Sequence, residues 1–191
     1  MRVELPHETQ PVIQTERLDL HHLAADDLFT LYSNPEDMSI YLNNDYRNPH
    51  RVLIEGPSPV RWRVPQVLAD ASVNKWFIRW MVERDSKVIL GSLSFHGPPD
   101  EHGMLEIGIG VHENFHRRGY ASEALIGMWK WASEQPGVKV FRYTVDPNNE
   151  PSVGLVRGLG FTHVGQQIDE EDGPEDIYEM SVYDFCNRNV L

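Results

Sequence analysis

Cysteine is almost missing from this chain: Cys186 is the only one among 191 residues. That excludes an internal disulfide framework and fits a reducing, cytoplasmic setting. Long hydrophobic runs are missing too. No stretch of 18 or more apolar residues occurs, so no membrane-spanning helix and no membrane partner are expected. The opening MRVELPHETQPV has no apolar core and no small-residue cleavage site, so no secretory signal is expected. Basic residues are scarce, with 17 Lys and Arg against 29 Asp and Glu, for a formal net charge of −12. Nucleic-acid binding needs a basic face, so that class of partner is not expected. A cationic partner or substrate is favoured instead. There are no internal repeats and no low-complexity tracts.

What remains is an ordinary soluble composition, 40% hydrophobic and 24% charged, with enough chain to bury a core as a single domain over residues 1–191. The stretch VIQTERLDLHHL reads as a first strand and AADDLFTLYSNPEDM as a short helix with Asp26 and Asp27 in its first turn. Residues 39–60 read as irregular. VPQVLADASVN reads as a helix with Val67, Leu68 and Ala71 on one side. KWFIRWMVERD and KVILGSLSFHG read as two strands, and GMLEIGIGV as a fourth. In YASEALIGMWKWASEQPG, residues Ala121, Ala124, Leu125, Met128, Trp129 and Ala132 recur at helical spacing until Pro136-Gly137. VKVFRYTVD is a fifth strand. NEPSVGLVRGLG is a helix capped by Gly160. FTHVGQQI and IYEMSVYDF form a closing hairpin around DEEDGPED, which holds six acids in eight residues. The sum is an α/β (α+β) arrangement, a mixed sheet of about seven strands with helices on its faces.

One stretch stands out in so acidic a chain. IGIGVHENFHRRGYASEAL passes from strand through a basic loop and one glycine into the clearest helix. The start of a helix offers unpaired N–H groups and a partial positive charge, so it suits an anion. The amides of Arg117, Arg118, Gly119, Tyr120 and Ala121 are placed to converge on a diphosphate. Gly119 has no Cβ to keep the backbone away, and either arginine adds a charge-assisted bond. A plain basic surface turn remains the alternative. No Gly-Lys-Ser/Thr follows, so this is not a Walker loop, and one glycine is too few for a dinucleotide fingerprint.

In the strand before the loop, alternation puts Leu105, Ile107, Ile109 and Val111 on one face and Met104, Glu106, Gly108 and Gly110 on the other. Two glycines beside one acid leave room for a ligand against the backbone. Glu106 reads as a general base or as a half-exposed sheet carboxylate.

Strand LEIGIGV, loop HRRGYASEAL and the later NNEPSVGLVRGLGF together resemble the GNAT superfamily of acetyl-CoA-dependent N-acetyltransferases. The opening TERLDLHHLAADDLFTLYSNPEDM is similar to the branch that includes the ribosomal-protein alanine N-acetyltransferases. The resemblance covers most of the chain and is weakest over residues 39–75. The family's pyrophosphate loop, Arg/Gln-x-x-Gly-x-Gly/Ala, falls on His116 through Ala121, with His116 departing from the usual first residue. The resemblance implies a mostly antiparallel central sheet whose fourth and fifth strands splay apart. It further implies a pantetheine arm in the gap, pairing with backbone at Ile109 and Val111. Asn149 and Ser152 match the family's contacts to the coenzyme arm, although Asn149 also reads as a plain N-cap. Many members carry a tyrosine as proton donor where this chain has Val156.

The implied reaction is direct attack of a neutral amine on the thioester of acetyl-CoA, a cosubstrate, with Glu106 as base and strand amides polarising the carbonyl. The acceptor is an amine on a protein N-terminus or a small molecule. A non-catalytic acetyl-CoA-binding module of the same fold is the alternative. No metal is expected: His112 and His116 flank the loop without companion ligands. Cys186 is expected to be inert, and the five tryptophans to line core or groove. Tyr41, Tyr46, Trp62 and Arg63 are candidates for an acceptor-side wall, and the acidic hairpin tip for a solvated turn or a cation-attracting mouth. A homodimer is compatible with all of this.

Overall fold

The computed structural model describes residues 9–56, 58–171 and 173–188. Its contacts divide into two compact units, one reaching to His96 and taking in Ile109–Met128, the other Gly97–Gly108 and the chain from Trp129 onward. No helix among the described residues is long and apolar enough to cross a membrane.

The first unit begins with a correction. The expected first strand is broken into β1 (Ile13–Gln14) and β2 (Leu18–His22), which pair antiparallel. Thr15 makes the break: its hydroxyl accepts from the Leu18 amide at 3.1 Å, and its own amide donates to the Leu18 carbonyl at 2.9 Å. A side chain that bonds backbone locally competes with the strand ladder. β3 (Arg79–Glu83) pairs antiparallel with β2 and with β4 (Ile89–Phe95), with a register shift between Met81 and Val82. β5 (Met104–Val111) follows β4 in the strand order, so this part of the sheet runs β1-β2-β3-β4-β5.

Three helices cross between β2 and β3. They are α1 (Ala25–Ser33), the single-turn α2 (Ser39–Leu42) and α3 (Val60–Ala69), followed by a 3-10 segment at Ala71–Trp76. α3 starts earlier than the sequence suggested and stops at Asp70, whose carboxylate accepts from the Ser72 amide and opens the 3-10 segment. Its buried stripe is Val60, Arg63, Val64 and Val67, while Leu68 is exposed and Ala71 half-exposed, so of the expected Val67-Leu68-Ala71 side only Val67 is buried. Residues 39–60, read as irregular, hold α2 and the first residue of α3.

α4 (Tyr120–Ser133) presents the anticipated stripe. Ala124, Leu125, Met128, Trp129 and Ala132 are fully buried, and Ala121 is half-exposed. Within the first unit α4 lies tight on the sheet at Gly127, where an added Cβ would fall 2.7 Å from the Thr15 methyl and 3.4 Å from Leu20.

Among the described glycines, the tightest approach to backbone is at Gly91 on β4. A Cβ there would sit 2.1 Å from the Gly110 carbonyl oxygen and 2.9 Å from the Val111 Cα. Neither atom belongs to a flexible side chain, so the two strands would have to part. Gly91→Ala is expected to destabilise the protein by about 1–3 kcal/mol or more, the usual cost of overpacking. Thermal unfolding checks this; an unchanged midpoint would mean that β4 and β5 can move apart freely.

In the second unit β5 runs parallel to β6 (Val140–Val145). β6 pairs antiparallel with β8 (Gly173–Ser181), and β8 with β7 (Thr162–Asp169), giving the order β5-β6-β8-β7. Among the described residues there are thus eight named strands, mostly antiparallel, flanked by helices, where about seven were expected. The pairing of β5 with β6 covers Met104–Glu106 against Val140–Arg142, whereas β6 continues against β8 to Val145. Trp129 centres the core of this unit, with ring centroids 4.6 Å from Phe161, 5.9 Å from Phe141 and 6.1 Å from Phe185. Phe185 corrects the closing strand. β8 starts inside the acidic run, at Gly173, and ends at Ser181; Val182–Arg188 is a helix, α6. Ser181 caps it, accepting from the Asp184 amide at 3.0 Å and donating to the Asp184 carboxylate at 2.6 Å. α5 (Glu150–Gly158) ends as expected before Gly160, at φ +89°.

Candidate functional site

The basic loop lies in the first unit. β5 ends at Val111, the His112 amide donates to the Leu90 carbonyl at 2.8 Å, and a 3-10 turn spans Glu113–Phe115. His116, the departure from the family pattern, lies 2.7 Å through Nε2 from the Val111 carbonyl. A carbonyl can only accept, so the proton is on Nε2. At Val111, whose backbone the family resemblance pairs with the pantetheine arm, the carbonyl is thus already engaged. Ile109 and Val111 are half-exposed, and a Cβ on Gly110 would meet nothing within 4 Å. At Gly110, one of the two glycines singled out on that strand, there is room beside the backbone.

Beyond His116 the backbone alternates sharply. Arg117 has φ +59° and Gly119 φ +81°, both left-handed. Glycine adopts this freely; for arginine it is uncommon. Successive turns of this kind make a concave nest of N–H groups, an anion-binding shape. The helix opens directly from it: the Glu123 amide donates to the Gly119 carbonyl at 3.0 Å. The next amides, at Tyr120 and Ala121, belong to the first turn, which has no earlier carbonyl to bond. Residues 116–119 are exposed, Tyr120 is buried and Ala121 half-exposed. The Arg118 guanidinium lies over the Phe115 ring at 5.6 Å.

Sequence inspection missed what holds this loop. Arg17 donates through Nη1 to the Arg118 carbonyl at 3.0 Å. Its Nε and Nη2 each reach Glu123 Oε2 at 2.7 Å. Glu123 Oε1 accepts from the Arg17 amide at 2.7 Å and the Thr15 hydroxyl at 2.5 Å. The guanidinium also covers the Tyr120 ring at 4.2 Å. Burial opposes ionisation of Glu123, but the bonds from Thr15 and Arg17 prevail and its pKa is lowered. Tyr120 donates to Glu83 at 2.6 Å, and that bond raises the phenol's pKa. Glu83 is lowered by hydrogen bonds from Ser86 and Tyr120. The available signal was Glu123 in the first turn of α4, an acid that the dipole favours.

The other candidates belong to the second unit. Glu106 is half-buried on β5, and the Thr144 hydroxyl donates to its Oε1 at 2.7 Å. Arg142, its register partner, is bonded to Glu179 at 2.8 Å through Nε. Asn149 is the N-cap of α5: its side chain accepts from the Ser152 amide at 3.2 Å. The Ser152 hydroxyl lies 2.7 Å from the Tyr143 hydroxyl, and burial raises the pKa of Tyr143. Val156 is fully buried in the core, and Cys186 is exposed.

Of the four wall candidates in the first unit, three turn inward. Tyr41 stacks on Trp80 with centroids 5.2 Å apart, and the Tyr46 hydroxyl meets His21 Nδ1 at 3.3 Å. Arg63 donates to Ser94 at 3.3 Å. Trp62 alone stays open, with the Arg61 guanidinium 3.9 Å above its ring. On the acidic hairpin, Gln166 donates to Asp176 and Gln167 to Glu175, each at 2.8 Å, so part of that run is tied into the strands.

Known proteins are similar to this chain in sequence and in fold. The family of the Acetyltransferase (GNAT) domain matches residues 17–162. An uncharacterized N-acetyltransferase of Bacillus subtilis (strain 168), YoaA, is 26% identical over 179 residues, covering 91% of this chain and 95% of its own. The crystal structure of ribosomal-protein-S5-alanine acetyltransferase from Vibrio fischeri has a TM-score of 0.64 at 14% identity, covering 92% of this chain and 99% of its own. Spermidine/spermine N-acetyltransferase from Vibrio cholerae has a TM-score of 0.62 at 17% identity, covering 91% and 97%.

Proposed function

Because the chain belongs to the GNAT acetyltransferase family, and so is an acetyl-CoA-dependent acyltransferase, we propose that it acetylates a primary amine by direct attack in a ternary complex. The observation that carries this reading is the left-handed pair Arg117 and Gly119 at the mouth of α4. There the amides of residues 117–121 serve the coenzyme diphosphate, and Arg117 and Arg118 add charge. Backbone at Ile109 and Val111 serves the arm and the thioester carbonyl. Asn149 and Ser152 serve the arm from α5, in addition to the capping bond between them.

Glu106 is the base. An alkylamine with pKa near 10.4 is mostly protonated at pH 7, so it must lose a proton before attack. The Thr144 hydroxyl donates to the carboxylate and helps to orient it, and the carboxylate receives that proton directly or through a water. The buried Val156 supplies no acid. A thiol's ordinary pKa is about 8.5, so the coenzyme thiolate leaves as the anion without one.

The acceptor is a protein N-terminal amine or a small cationic amine. The net charge of −12 favours a cation. The spermidine/spermine and ribosomal-protein acetyltransferases that share the fold are named for the two kinds of acceptor. The whole chain acts as one acetyltransferase domain, since the family match runs through parts of both compact units.

Thiol release from acetyl-CoA over a panel of peptides with free N-termini, polyamines and aminoglycosides tests the proposal. Turnover is expected with at least one class of amine. Binding of coenzyme A with no turnover across the panel would leave a coenzyme-binding module instead.

A further inference from the structure

We infer that Arg17 is a positioning residue that orients the Arg118–Gly119 peptide for the coenzyme diphosphate; the inference rests on assigning the diphosphate to this loop. In a trans peptide the carbonyl oxygen and the amide hydrogen point in opposite directions. The Arg118 carbonyl is held by Arg17 Nη1 at 3.0 Å. The Gly119 N–H is therefore aimed away from Arg17 Nη1, in a stretch where residues 116–119 are exposed. Gly119, left-handed at φ +81° on one side of this peptide, makes it prone to flip, because glycine populates both signs of φ. A flip would turn a carbonyl dipole toward the anion.

Arg17 is itself fixed from several sides. Glu123 takes its backbone amide, Nε and Nη2, Thr15 completes the carboxylate's bonds, and the Tyr120 ring lies beneath the guanidinium. Arg17 Nη2 lies 3.4 Å from where a Cβ on Gly119 would stand, so the guanidinium also flanks the glycine. The Glu123 carboxylate offsets its charge at contact distance. What Arg17 contributes is then a planar fork that bonds a carboxylate and a carbonyl at once. An ammonium, a single point charge, does not reproduce that fork.

The test compares Arg17→Ala and Arg17→Lys with the parent. Coenzyme A binding is measured by calorimetry, and binding of pantetheine, which lacks the diphosphate, by NMR titration at millimolar concentration. Both variants are expected to lose tenfold or more in coenzyme A affinity while pantetheine binding stays at the parent's level. A brace that only stabilises the fold would weaken both ligands alike, and that result would overturn the inference. So would full recovery by Arg17→Lys, which would make charge rather than geometry the cause, or an unchanged coenzyme A affinity in Arg17→Ala. Gly119→Glu separates the two levels. If it binds coenzyme A normally, the loop assignment itself fails. If it loses binding while Arg17→Ala keeps it, only the role of Arg17 fails.

Discussion

Glu106→Gln is expected to lower turnover by about 10²–10⁴, the usual reach of general-base catalysis, with acetyl-CoA affinity nearly unchanged. Glutamine keeps the side-chain shape, and its amide oxygen can still accept from the Thr144 hydroxyl that now bonds Oε1. What disappears is the proposed acceptor of the amine's proton. The pH dependence separates this role from simple positioning. As pH rises toward the amine's own pKa, about 10.4 for an alkylamine, more acceptor is neutral without help. The gap between parent and variant should therefore narrow with rising pH. Steady-state rates across that range, with saturating acetyl-CoA, decide the matter. A uniform deficit at every pH would assign Glu106 to holding the acceptor, and near-parent turnover at pH 7 would remove it from the chemistry.

Gly119→Glu should abolish most coenzyme A binding while the chain stays folded. Gly119 is exposed at φ +81°, and a Cβ there would touch only the Arg17 guanidinium, at 3.4 Å. The left-handed strain costs about 1–2 kcal/mol. The neighbouring Arg117 already bears the same sign of φ at 59°, so the fold tolerates it. The larger effect is on the ligand. A carboxylate at the mouth of the nest repels the diphosphate and covers the amides. Losing two charge-assisted bonds of about 1.5–3 kcal/mol each weakens binding by about a hundredfold or more. Calorimetry with coenzyme A measures this, and circular dichroism checks the fold. Parent-like affinity would place the diphosphate elsewhere.

Much of this protein was open to inspection residue by residue. The stripe from Ala124 to Ala132 announced α4 because a 3.6-residue period is a property of neighbouring residues alone. The burial of Leu105 and Ile107 followed from strand alternation in the same way. Gly119 could be singled out because a residue without a Cβ just before a helix is visible in the sequence itself, while its left-handed φ of +81° came from the structure. The Asn149 cap was legible for the same reason, since its bond to Ser152 spans three residues. Errors arose where a side chain redirected its own backbone. Thr15 split the first strand, Asp70 closed α3, and Ser181 turned the last strand into α6.

The amino-acid sequence by itself determined the family, the acidic character of the chain, and the loop that leads from β5 into α4. These depend on composition, spacing and conformations set within a few residues. Only the tertiary structure decided which side chains serve that loop and the candidate base. Arg17 and Glu123 are 106 positions apart, and Thr144 reaches Glu106 across 38. No periodicity encodes such pairs. Strand order and register bring Thr144 to Glu106. The bend at Thr15, together with the seating of α4 at Gly127, brings Arg17 to the Arg118 carbonyl.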